Sequence, residues 1–177
     1  TSTSLVRKSC WPRRVSSSAA LFPAAPPPAR VGFSGGRRLS PAFRPLVAGV
    51  VSAVVAAGRS VVVGCAGGAD RFVRTAAPGA VVFSVASFGS GRGAFAARSI
   101  ALVRAVAAGG PGSGLVVFPA EPCPDGLLPS GSWASAAFAV GLGLPLVVFP
   151  CGFSVLPPWR AWFPAGAGIW ALGFRLS

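Results

Sequence analysis

The chain has 177 residues, 53% of them hydrophobic types, with 24 Gly and 18 Pro; 16 basic residues stand against three acids and no His, a net charge of +13. So apolar a chain is not a disordered polyelectrolyte, the lack of a strict Gly period excludes collagen, and one Glu with one Lys excludes a heptad coiled coil. Without His, the commonest general base and metal ligand are missing; Cys10, Cys65, Cys123 and Cys151 form no C-x-x-C pair and read as free thiols, so no metal and no cofactor are expected.

Residues 1–29 are rich in Ser, Arg, Ala and Pro and hold no sustained hydrophobic period, so they are read as a disordered or leader segment outside the fold. A strand follows at Arg30–Phe33, ending in Ser34-Gly35-Gly36. Ser40 can cap a helix in which Phe43, Leu46, Val47, Val50, Val51, Val54 and Val55 fall on one stripe; Pro45 fits only its first turn and Gly58 ends it. Val61–Val63 predicts a second strand, Gly64–Gly68 a tight turn, and Asp70 the start of a helix that stops at Pro78-Gly79. Val81–Val85 is the third strand, followed by a Gly-rich loop at 89–93 and a helix over Ala94–Ala108 with Phe95, Ser99, Leu102, Val103 and Val106 on one face. Leu115–Phe118 is the fourth strand. A Pro-rich loop then leads to Ser130-Gly131-Ser132, a helix to about Val140, and a fifth strand at Leu146–Phe149.

Strict alternation of this kind implies an α/β, Rossmann-like three-layer sandwich around a mainly parallel sheet of about five strands, spanning residues 30–150. Unbroken Val runs suit strands buried on both faces. The charge-free run from Gly126 onward is broken by Gly and Pro, so it reads as helix, turn and strand rather than a membrane span, and a cytoplasmic location is expected unless 1–29 targets an organelle. Residues 151–177 are expected to form an irregular tail rich in Trp, Pro and Gly.

Ligands of open parallel sheets bind beyond the carboxyl ends of the strands. Small-residue turns at 34–36, 64–68, 89–93 and 130–132 belong to that edge, with Arg37, Arg92 and Arg98 nearby. Exposed amides at Gly turns and helix N-termini suit a phosphate. Neither the G-x-G-x-x-G fingerprint with its distant acid nor a P-loop is present.

The segment Val31-Gly32-Phe33-Ser34-Gly35-Gly36-Arg37 resembles the first strand and Gly-Ser-Arg turn of the SLOG superfamily, which includes the DprA/Smf, LOG and YspA-type proteins. Gly64-Cys65-Ala66-Gly67-Gly68-Ala69-Asp70 is similar to its Gly-x-Ala-x-Gly-Ala-Asp motif, Arg98–Leu102 to its Arg-headed helix, and Pro129–Trp133 to its phosphate loop. The resemblance implies a domain that binds a nucleotide or another phosphorylated small molecule. Gly32, Ser34, Gly35 and Arg37 would line the first turn, Gly64, Gly68 and Asp70 the second; Arg98 would meet a phosphate or carboxylate, and Gly131 and Ser132 would hold a phosphate.

Two alternatives stay open. A LOG-like 5′-monophosphate phosphoribohydrolase needs a Glu soon after the phosphate loop; the stretch there is Trp133-Ala134-Ser135-Ala136, so Asp70 or Glu121 would have to replace it and an enzyme is disfavoured. A DprA-like protein would bind nucleic acid. Homo-oligomers are compatible with either.

Overall fold

The computed structural model describes residues 28–125 and 131–177. Residues 1–27 of the leader read at 1–29, and the turn residue Ser130, lie outside the described residues. Seven strands form one sheet in the order β3-β2-β1-β4-β5-β7-β6. The strands are β1 (Arg30–Gly35), β2 (Ser60–Gly64), β3 (Val81–Phe83), β4 (Gly114–Phe118), β5 (Leu146–Val148), β6 (Trp162–Pro164) and β7 (Phe174–Leu176). β1 to β5 pair in parallel, and β7 pairs antiparallel with both β5 and β6.

The helices are α1 (Arg44–Ala56), α2 (Ala69–Ala76), α3 (Gly91–Ala107) and α4 (Gly131–Gly141). Ser40 accepts from the Ala42 N–H, but the turn it caps is a 3-10 turn at Pro41–Phe43 that leads into α1. Pro45 stands in the first turn of α1, where no amide is needed, and Gly58 leaves the helix at φ +69.

Two cores lie on opposite faces of the sheet. On one, Val47, Val50, Val51 and Val54 of α1 and Phe72 and Val73 of α2 pack on Val61, Val63, Val116 and Phe118. On the other, Leu102, Val103 and Val106 of α3 and Trp133, Ala136 and Ala139 of α4 pack on Val62, Leu115, Val117 and Val148. Successive strand side chains point to opposite faces. The run Val61-Val62-Val63 is apolar throughout because both faces are covered. Phe33 of β1, Phe118 of β4 and Phe149 just after β5 stack in a row, with centroids 6.4 and 5.2 Å apart.

The structure corrects three expectations. The sheet has seven strands, because the tail expected to be irregular supplies β6 and β7. Gly49 of α1 leaves the space that Ile169 enters, and Gly173 lies against the Phe149 ring, so two missing side chains seat the tail. The third strand ends at Phe83 and a 3-10 turn covers Val85–Phe88. As an edge strand, β3 leaves Val81 and Val82 exposed, so burial on both faces fails there.

β2 and β3 lie to one side of β1 and β4 and β5 to the other, so the strand order reverses between β1 and β4. In open α/β sheets that reversal is where the crevice for a ligand forms.

Candidate functional site

The turn after β1 crosses this reversal. Gly36 donates its N–H to the Phe118 carbonyl at 2.9 Å, and a side chain on Gly36 would meet Ala120. The crevice between β1 and β4 is therefore closed at its floor. Arg37 and Arg38 leave the turn into solvent just above it.

The second predicted turn is locked to the first. The Gly36 carbonyl accepts the N–H of Ala69, at 3.1 Å, and of Leu39. Gly68 holds φ +59, and a side chain there would strike the backbone of Gly36 and Arg37. Gly35 carries no side chain because Ala69 and the Phe118 carbonyl fill that space. These glycines let two turns approach each other. The first amide of α2 is thereby spent on a carbonyl oxygen of the chain itself.

Asp70 and Arg98 are brought together as an ion pair. Arg98 Nη1 donates to Asp70 Oδ2 at 3.0 Å, and both residues are buried. Asp70 Oδ2 also accepts the Ala66 N–H at 3.2 Å. A side chain on Gly64 would overlap Arg98 Nη1 and press on Asp70 Oδ2, so this glycine is the bed of the ion pair. Burial pushes the Asp70 carboxyl above its ordinary value; the Arg98 charge and hydrogen bond, the Ala66 amide and Arg74 pull it partly back. Arg74 fastens the same turn by donating to the carbonyls of Gly64 and Ala66, at 2.6 and 3.0 Å. In this structure Gly64 and Gly68 serve the close approach of the turns and Arg98 pairs with Asp70, and a hydrolytic role for Asp70 would first require breaking that pair.

Gly32 is also reassigned. It sits in the middle of β1, where a side chain would run into Val106, Leu115 and Leu102. It allows α3 to lie close on the sheet and lines no turn. Ser34 is half-buried at the end of β1. Gly131 opens α4 in the open, Ser132 is buried, and the Trp133 indole donates to the Glu121 carbonyl at 2.9 Å, tying α4 to the loop after β4. Glu121 itself is exposed.

The third Gly-rich turn stays open. Gly89 and Gly91 hold φ of +97 and +81, and Ser90, at the N-cap of α3, makes no side-chain capping bond. Arg92 is exposed in the first turn of this helix. Phe95 belongs by helical phase to the face that carries Leu102 and Val106. It is nevertheless 37% exposed. The Arg37 guanidinium lies over its ring, 5.5 Å from the centroid. Shared helical phase with Leu102 and Val106 does not bury Phe95, although its neighbour Ala94 is buried. A cavity of about 390 Å³ lies beyond β4 and β5, lined by Cys123, Asp125, Leu156 and Trp159, and involves none of the predicted site residues.

Among the described residues, no three His, Cys, Asp or Glu side chains cluster, and no helix is long and apolar enough to cross a membrane. No protein-family model and no curated protein matches the chain. Among solved structures, the chain is similar to DNA processing protein A from Helicobacter pylori, a structure described for its unique single-stranded DNA binding mode: 22% identity, TM-score 0.54, 69% of this chain and 65% of that one covered. The chain thus matches less than two thirds of its neighbour's length. The likeness is one of fold, a Rossmann-like α/β sandwich of the kind found in DNA processing protein A.

Proposed function

We propose that this chain binds single-stranded nucleic acid along the carboxyl edge of its sheet, with a single nucleotide as the smallest unit recognised. The observation that carries the reading is the pairing of exposed Arg37 with the exposed ring of Phe95. A guanidinium beside an aromatic face combines the two contacts an unpaired strand offers, a phosphate and a base plane. Arg38 and Arg92 extend the positive charge, and the open N-terminus of α3 adds amides of matching polarity. The carboxylate at the start of α2, Asp70, is buried and paired with Arg98. The neighbour's DNA binding agrees with this reading and favours it over a closed mononucleotide pocket.

The test is fluorescence anisotropy with a labelled 20-mer oligothymidylate over a salt series. Single-strand affinity falls with a slope of about −0.7 per phosphate neutralised in a plot of log K against log salt. Arg37→Ala should flatten the slope by about that amount. Loss of stacking in Phe95→Ala should weaken binding about tenfold, within the range of about 1–3 kcal/mol per stacked base. Unchanged affinity and slope in both variants would refute the proposal.

A further inference from the structure

A second cavity, of about 490 Å³, lies at the opposite end of the sheet. Its walls come from three parts of the fold: Ala53, Val54 and Ala57 at the end of α1, Val31 and Val147 on the sheet, and Trp170 from the tail. The volume falls within the range of small-molecule sites, and so does the lining, mostly apolar with few polar groups. Ala53, Val147 and Trp170 are only half-buried, so they face the hollow with apolar surface that nothing else in the described residues covers.

The one charged side chain in this lining is Arg59. Its Nη1 donates to the Gly112 carbonyl at 2.7 Å, which holds the exposed guanidinium at the rim. No carboxylate neutralises it: the one ion pair among the described residues is Asp70 with Arg98, and Glu121 and Asp125 follow β4 at the other end of the sheet. We infer that this cavity binds a small amphiphilic carboxylate, its apolar body between α1 and Trp170 and its carboxylate on Arg59. Complementarity points to the occupant: an apolar hollow disfavours a wholly polar anion, a lone guanidinium disfavours a cation, and a planar carboxylate fits its fork of donors. This site is separate from Arg37 and Phe95.

Isothermal titration of the full chain with octanoate, octylammonium and octanol tests the inference. Octanoate should bind saturably, with one site, at least about tenfold more tightly than the other two, a difference of about 1.4 kcal/mol. Arg59→Leu should abolish the preference for the carboxylate. Ala57→Phe fills the hollow while leaving every charge in place, and should abolish octanoate binding altogether. Circular dichroism melts would confirm that both variants are folded. Octanoate binding that survives Ala57→Phe, or equal binding of octylammonium, would overturn the inference by reducing it to general attraction of anions or of apolar chains. Oligothymidylate binding should be unchanged in Ala57→Phe, so failure here and failure of the nucleic-acid reading are distinguishable.

Discussion

Gly64 shows how one residue type settles the role of three. Without a side chain it leaves room for Arg98 to reach Asp70, and the pair joins the β2 turn to α3. Gly64→Ala should therefore break the pair and leave two buried charges uncompensated, a loss of about 3–5 kcal/mol in urea unfolding. Asp70→Leu combined with Arg98→Met should recover most of that loss, because an apolar pair of similar volume carries no desolvation cost. The Asp70 carboxyl is raised above 3.8 in the folded chain by burial. The folded state thus holds the proton more tightly than the unfolded one, so this group's stabilising contribution is full below 3.8 and is lost as pH rises through its folded value. Wild type should lose stability across that window, and Asp70→Asn should flatten the profile. Cys151, pushed up to about 12 by burial, should stay a thiol at neutral pH and resist iodoacetamide until the chain unfolds.

At the scale of elements, local pattern was a good guide where burial was local. The apolar stripe of α1, the Val run of β2 and the Gly turns needed only spacing to be recognised. The tail did not reveal itself, because β6 and β7 have three residues each and their partners lie far along the chain. A strand that short carries no readable period; pairing and packing decide it. The site was legible in part. Its edge and Arg37 follow from the turns, but no sequence pattern reveals that Arg98 pairs with Asp70 on another helix. Phe95 shares the helical phase of Leu102 and Val106, and phase says which side a residue faces and not how much of it is covered. The tail makes its own prediction. Gly173→Val places methyls against the Phe149 ring, so it should cost about 1–3 kcal/mol through overpacking. Hydrogen exchange should show β7 losing protection while β1 and β4 keep theirs.

Over the whole molecule, the net charge of +13 is a weak guide to function. Asn, Gln, His and Tyr are absent as well, and these types share with Asp, Glu and Lys a codon with adenine in second position, so the balance follows from nucleotide usage as readily as from a partner. What gives charge meaning is position. Arg30, Arg59 and Arg74 are bound to backbone carbonyls and Arg98 to Asp70, whereas Arg37 lies over an exposed ring at the strand-order reversal. Photocrosslinking of an oligonucleotide carrying 5-iododeoxyuridine, with the attached peptide mapped by mass spectrometry, reads that position directly. The account predicts attachment at Phe95, lost in Phe95→Leu and reduced in Arg37→Ala. Attachment confined to Trp159, Trp162 or Trp170, and indifferent to both substitutions, would contradict it.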